Sequence, residues 1–385
     1  MTLTFDQFPL HPEILKALDE MQFKEPSEIQ QQTLPLILEG KDLIALAKTG
    51  SGKTAACAIP ICNKVDPNRA EIQALIVVPT RELAMQYAQE AQKIGKFRKV
   101  KAFGICGGED ASLQLSKIKS GVQVLIATPG RLIDFIYSRS IDLTHVETLI
   151  LDEADEMLSM GFVEDLEFII QCLVHQHQTL LFSATMPKEI IQIASKYMQS
   201  PIEVKPKEKV ASPSLIDHNF LFCRHDERQD KLLKLIQEMQ PKQAIIFCHS
   251  RIQTEQVCHF LKKLLPQVDM LHAGFSQDIR SIVTNKFRNG KVRYLVATDV
   301  VARGLDFSNV THVFIYELSN DPDVYIHRSG RTGRFDKEGD VVTLVTSREL
   351  STARRIETKL GHPLKWIVPP PENLPPPKRR RPFRR

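Results

Sequence analysis

Two short stretches of this 385-residue chain carry residue types suited to work on a nucleotide phosphate. The first is Ala47-Lys48-Thr49-Gly50-Ser51-Gly52-Lys53-Thr54. Small residues let backbone N–H groups curl around phosphate oxygens, and a helix N-terminus just after such a loop adds partial positive charge. Lys53 is then placed to reach the β- and γ-phosphates, and the Thr54 hydroxyl to bind Mg²⁺. The general pattern has glycine where Ala47 stands. The second stretch is Asp152-Glu153-Ala154-Asp155. Asp152 suits Mg²⁺, held through water, and Glu153 suits orienting and deprotonating an attacking water. Taken singly, the first has a turn without ligand as its weaker alternative, and the second reads better as a solvated acidic loop. Together they describe a nucleoside triphosphate hydrolase.

Both stretches need a strand behind them, and the apolar pattern supplies one for each. Short apolar runs at 42–47, 74–78, 122–127, 148–151 and 179–183 read as buried strands. Residues 55–61, 83–94 and 188–198 read as helices, and the acidic stretch falls at a strand's C-terminal end, where α/β sheets bind ligands. The alternation starts afresh in the second half. Strands are expected at 244–248, 294–297, 312–316 and 340–345, with helices at 254–265 and 276–287. Such alternation argues for parallel sheets covered by helices on both faces. Residues 203–214, rich in Lys and Pro, read as a hinge. The expected organisation is therefore an α/β chain with domains at 1–205 and 215–366, a flexible linker at 206–214, and a tail at 367–385.

The net charge of +5 belongs to that tail. Residues 367–385 hold Lys378, Arg379, Arg380, Arg381, Arg384 and Arg385 against the single acid Glu372, so the preceding chain is charge-balanced. A Pro-rich basic arm packs poorly and reads as a salt-dependent nucleic-acid contact, a localisation signal or a solvated end. The 42% of hydrophobic residues exclude wholesale disorder. No apolar run approaches the ~18–20 residues of a membrane span. The seven Cys show no Cys-x-x-Cys pair, and Cys172, His175 and His177 lack a recognisable fourth ligand. Reduced thiols, a cytoplasmic location and no membrane association are the expectation.

The order of further motifs resembles the DEAD-box ATP-dependent RNA helicases from Phe5 to about Phe335. Gln22-Phe23-Lys24-Glu25-Pro26-Ser27-Glu28-Ile29-Gln30 is similar to the family's adenine-reading segment, with Gln22 where glycine is usual. The Gln30 amide can donate and accept at once against adenine. Phe5 matches the family's isolated aromatic, and either Phe5 or Phe23 is expected to stack on the base. Ser183-Ala184-Thr185 resembles the coupling motif, so Ser183 and Thr185 are expected to bond the Asp155 loop, with His327 in the same coupling set. His327-Arg328-Ser329-Gly330-Arg331-Thr332-Gly333-Arg334 resembles the arginine-finger motif. The resemblance makes Arg331 and Arg334 the fingers and places Asp306 on the ribose. It implies two tandem RecA-like domains with ATP and Mg²⁺ as cofactors.

A set of loop residues resembles the family's RNA track. In the first half these are Thr80, Arg81, Gly107, Gly108, Thr128 and Arg131; in the second, Arg251, Gln277, Arg280, Thr298 and Asp299. Hydroxyls, guanidiniums, glycine amides and helix starts contact phosphate and carry no base-reading set. Each alone is no more than a capped helix start. As a set, the resemblance implies a monomer that holds single-stranded RNA by its backbone in a cleft between two domains and opens short duplexes locally. An ATP-gated RNA clamp or annealing chaperone uses the same residues.

Overall fold

The computed structural model describes residues 3–47, 51–205, 216–299, 309–333 and 338–371. Lys48, Thr49, Gly50, Asp306, Arg334, most of the hinge, and the tail beyond 371 lie outside the described residues, as does the side chain of Gln277. The chain forms two compact units, Met1–Glu208 and Lys209–Arg385.

The first unit is a seven-stranded sheet. Its strands are β1 (Leu43–Leu46), β2 (Ala74–Val77), β3 (Ala102–Ile105), β4 (Val124–Ala127), β5 (Thr148–Leu151), β6 (Gln178–Ser183) and β7 (Ile202–Val204). They lie side by side as β3-β4-β2-β5-β6-β1-β7, and each described pair is parallel. Helices α1 (Pro12–Glu20), α2 (Glu28–Leu38), α3 (Lys53–Lys64), α4 (Arg81–Ile94), α5 (Ala111–Lys119), α6 (Pro129–Tyr137), α7 (Ala154–Ser159), α8 (Val163–Gln171) and α9 (Lys188–Tyr197) surround the sheet. Successive strand residues point to opposite faces, and so one sheet makes two cores. Ile76, Ile126, Ile150 and Leu180 enter one, with α3 and α4. Leu75, Leu125, Leu149 and Leu181 enter the other, with α6, α8 and α9.

The second unit repeats the plan. Strands β8 (Ile216–Phe222), β9 (Ala244–Phe247), β10 (Val268–Leu271), β11 (Tyr294–Ala297), β12 (His312–Ile315), β13 (Gly339–Val345) and β14 (Lys365–Val368) lie as β10-β11-β9-β12-β13-β8-β14. Adding seven to each strand number of the first sheet gives this order. These pairs too are parallel. Its described helices are α10 (Arg228–Met239), α11 (Arg251–Lys262), α12 (Gln277–Arg288), α13 (Pro322–Ser329) and α14 (Leu350–Leu360).

Strand β8 is not among the expected strands, and the differences in domain boundary concern sheet edges. Glu203 and Val204, assigned by composition to the hinge, pair with β1 as part of β7. Ile367 and Val368, assigned to the tail, belong to β14. Both strands are sheet edges, with one neighbour each. A strand covered on one side needs no continuous apolar run, which is why composition gave no signal. No helix among the described residues is long and apolar enough to cross a membrane.

Candidate functional site

Strand order divides the C-terminal edge of the first sheet into two adjoining halves. Loops after the neighbours β5, β6 and β1 carry Asp152-Glu153, Ser183-Ala184-Thr185 and the glycine-rich stretch. Loops after β3, β4 and β2 carry Gly107-Gly108, Thr128 to Arg131 and Thr80-Arg81. Because all seven strands are parallel, both sets emerge at one end of the sheet.

Gly52 opens α3 with a left-handed backbone, φ 92°. An added Cβ there would stand 2.8 Å from both the Ser27 hydroxyl and the Gln30 amide nitrogen. Those two side chains hold the loop. The Ser27 hydroxyl donates to the Ser51 carbonyl at 2.9 Å and the Gln30 amide to the Gly52 carbonyl at 3.1 Å. Gln30 Oε1 also accepts from the Ser27 backbone N–H at 2.9 Å, closing a capping box at the start of α2. A primary amide has two donors and two lone pairs, so one of each remains beyond these bonds. The Ser51 hydroxyl is buried and has no hydrogen-bond partner among the described residues. An orphaned hydroxyl two residues before Lys53 fits a bound phosphate oxygen.

Lys53, the first residue of α3, points its ammonium at Asp152 Oδ1 across 3.5 Å. Both side chains are almost fully buried. Burial works against the lysine charge, but the carboxylates of Asp152, Glu153 and Asp155 outweigh it and hold the Lys53 pKa above its ordinary value. The cation is thus fixed at neutral pH. Asp152 is held at two further points. Its Oδ1 accepts from the Glu153 N–H at 2.8 Å, and its Oδ2 accepts from the Tyr87 hydroxyl at 2.5 Å. Tyr87 lies on α4 and is fully buried; burial first, and then the Asp152 charge, push its phenol well above its usual value. The thiol of Cys57 on α3 stands beside the same hydroxyl. Glu153 sits in the left-handed region at φ 53° and opens α7. A non-glycine residue there costs about 1–3 kcal/mol, strain of a kind that clusters at functional positions.

Asp155 is bound to the loop after β6. Its carboxylate accepts from the Thr185 backbone N–H and hydroxyl, each at 2.9 Å, and from the Ala184 N–H at 3.4 Å. The Asp155 N–H donates to the Ser183 hydroxyl at 3.2 Å, and that hydroxyl donates to the Thr185 carbonyl at 2.6 Å. Of the two candidate stacking rings, Phe5 is 4% exposed and packs within the apolar core of the first unit, while Phe23 is half-buried and keeps open surface.

Of the residues expected to contact phosphate, Thr80 caps α4 by accepting from the Leu83 N–H at 3.3 Å. Gly107 has open space where a Cβ would stand, and Gly108 adopts φ 77°. Arg81 and Arg131 both bond to the segment around Glu109. In the second unit, the loops after β9, β10 and β11 are again neighbours and carry Arg251, Gln277 with Arg280, and Thr298-Asp299. Arg251 is exposed at the start of α11. Asp299 lies two residues past the end of β11. Its two carboxylate oxygens accept from Arg328 at 2.6 and 2.8 Å, and Arg328 also donates to the Glu317 carbonyl at 2.5 Å. Arg328 is therefore an internal clamp between three segments. Arg331 is buried and donates from Nε to the His327 carbonyl at 3.3 Å.

Sequence reading passed over Tyr87, Cys57, Glu109 and Arg328. Tyr87 contacts Asp152 across 65 positions of sequence. Only its place one helical turn below Leu83 and Ala84, on the core face of α4, hinted at burial.

Known proteins share this organisation. The family model described as DEAD/DEAH box helicase matches residues 27–193, and that described as Helicase conserved C-terminal domain matches 227–336. The DEAD-box ATP-dependent RNA helicase CshA of Bacillus subtilis is 43% identical over 357 residues, which are 93% of this chain and 72% of that protein. The ATP-dependent RNA helicase CshA of Listeria monocytogenes is 43% identical over 92% of this chain and 68% of its own length. Among solved structures, S. cerevisiae Dbp5 bound to RNA and ADP BeF3 aligns with a TM-score of 0.86 at 30% identity, covering 95% of both chains. Mss116p bound to ssRNA and AMP-PNP aligns with a TM-score of 0.84 at 32% identity, covering 97% of this chain and 81% of that one.

Proposed function

From membership of the DEAD-box family, to which this chain belongs as an ATP-dependent RNA helicase with two tandem RecA-like units, we propose how its residues divide the work. The supporting observation is the buried Lys53–Asp152 pair beside Glu153, held at one sheet edge next to the Asp155–Thr185 bridge. Lys53 and the Ser51 hydroxyl hold the β- and γ-phosphates of ATP, while the remaining donor and lone pair of Gln30 read adenine. Phe23 stacks on the base, and Asp306 meets the ribose. The carboxylate of Asp152 and the hydroxyl of Thr54 are hard oxygen ligands suited to Mg²⁺, which neutralises charge on the phosphates when bound. Glu153 orients the attacking water and takes its proton. Arg331, with Arg334, stabilises negative charge on the transferring phosphoryl group.

Hydrolysis then depends on both units engaging one nucleotide. The Asp155–Ser183–Thr185 cluster passes the state of the phosphate site to the adjoining loops, since Asp155 follows Glu153 by two residues. RNA is bound as a single strand, through its phosphates and without sequence preference, by the loops after β2, β3 and β4 and after β9, β10 and β11. The relatives described above as bound to RNA with ADP BeF3 and to ssRNA with AMP-PNP support joint binding of RNA and nucleotide. The Pro-rich basic arm raises RNA affinity without adding a catalytic group. A monomer at work in the cytoplasm agrees with the seven free cysteines, six of them buried.

ATP turnover measured against added RNA tests this reading. The rate is expected to rise with single-stranded RNA of any sequence and to stay low with DNA, because the 2′-hydroxyl separates the two. Equal rates with and without RNA would remove the link between the two loop sets.

A further inference from the structure

The two guanidiniums of the first unit's RNA-facing loops are already engaged by one residue of the same chain, Glu109. Glu109 follows Gly107-Gly108 in the loop after β3. One of its carboxylate oxygens pairs with Arg81, and the other accepts from the Gln114 amide at 2.9 Å. Its backbone carbonyl accepts from Arg131 at 3.0 Å, and Arg131 also donates to Gln114 Oε1 at 3.0 Å. Arg81 donates further to the Gly107 carbonyl at 3.2 Å. The outward member of this cluster is the carboxylate. The Glu109 side chain is 33% exposed against 15% for Arg81 and 10% for Arg131.

We propose that Glu109 is an affinity-setting residue for RNA: its carboxylate stands in for a backbone phosphate on Arg81 and must be displaced when RNA binds. The inference rests on reading these loops as the RNA track. A carboxylate and a phosphodiester each present oxygens and about one negative charge to the same planar guanidinium fork, so the two compete for it. An ion pair reached by solvent is weak enough to be exchanged for another. Gly108 favours the exchange. Its left-handed backbone keeps the loop free of a side chain beside Arg81, whose terminal nitrogen lies 3.3 Å from where a Cβ would stand. Displacing Glu109 also means that Arg81 gains a phosphate only by losing a carboxylate, so the contact adds little to counterion release.

Binding of a short fluorescein-labelled single-stranded RNA, followed by anisotropy with a saturating non-hydrolysable ATP analogue, tests this on the full chain. Glu109→Gln is expected to tighten binding by about twofold to fivefold, the scale of one partly exposed charge pair. The plot of log affinity against log salt should steepen by about 0.7, as one more phosphate is neutralised without a carboxylate to displace. Arg81→Ala should weaken binding, with thermal melts showing both variants folded. Unchanged or weaker binding by Glu109→Gln, together with a weakened Arg81→Ala, would overturn the proposal and leave the RNA track standing, for Glu109 would then orient Arg81. Unchanged binding by Arg81→Ala would overturn the track itself and the proposal with it.

Discussion

Replacing Glu153 by glutamine is expected to lower RNA-stimulated ATP turnover by ~10²–10⁴-fold, the contribution of a general base that is lost while its shape is kept. ATP binding should persist, because the groups assigned to the phosphates, Lys53 and Ser51, are untouched. Glutamine is the informative choice. Lys53→Ala also removes activity, but it leaves Asp152 buried without its cation, and breaking such a pair costs about 3–5 kcal/mol of stability. A rate collapse in that variant therefore mixes chemistry with folding. Glu153→Gln keeps the backbone N–H that bonds Asp152, so the acidic loop retains its anchor. The checks are single-turnover hydrolysis and equilibrium binding of a fluorescent ATP analogue. Normal turnover in Glu153→Gln would remove this residue from the chemistry and point to another proton acceptor.

The second large effect is expected from Arg331→Ala, which should slow hydrolysis by ~10³-fold or more while ATP still binds the first unit. Two arginines three positions apart make the contrast sharp. Arg328 is committed to Asp299, Glu317 and the face of Phe247, so its replacement should lower the melting temperature of the second unit. Arg331 donates from Nε to the His327 carbonyl one turn back. If Arg331 serves packing alone, its variant will melt early and hydrolyse ATP nearly as fast as the parent. If it serves the phosphoryl group, the rate will fall far more than stability does.

What the sequence reveals and what it hides follow one physical rule. The glycine-rich stretch, the Asp152-Glu153 pair and the Ser183–Thr185 stretch are legible because each is a short run of chemically restricted residues at the end of an apolar strand. Central strands are legible for a related reason, since β2, β4 and β9 are buried on both faces and so are wholly apolar. Strand β10 went unseen because Asp269 interrupts it, and β3 because Gly104 does. Contacts that bridge distant positions are illegible. Tyr87 with Asp152 and Arg328 with Asp299 exist only once helix and sheet have packed, and the repeated strand order of the two units is likewise a property of pairing. The place of Phe5 in the core and the hold of Asp299 on Arg328 are likewise visible only in the packed structure.

The central claim is that ATP chemistry at the Lys53–Asp152–Glu153 edge drives the opening of RNA. It is tested most directly by strand displacement from a short labelled RNA duplex, with the full chain and either ATP or no nucleotide. The labelled strand is expected to be released with ATP and to stay annealed without it, and Glu153→Gln to abolish repeated rounds of release. A chain that hydrolyses ATP in response to RNA yet leaves the duplex intact would contradict the claim, and would identify an ATP-gated clamp in its place.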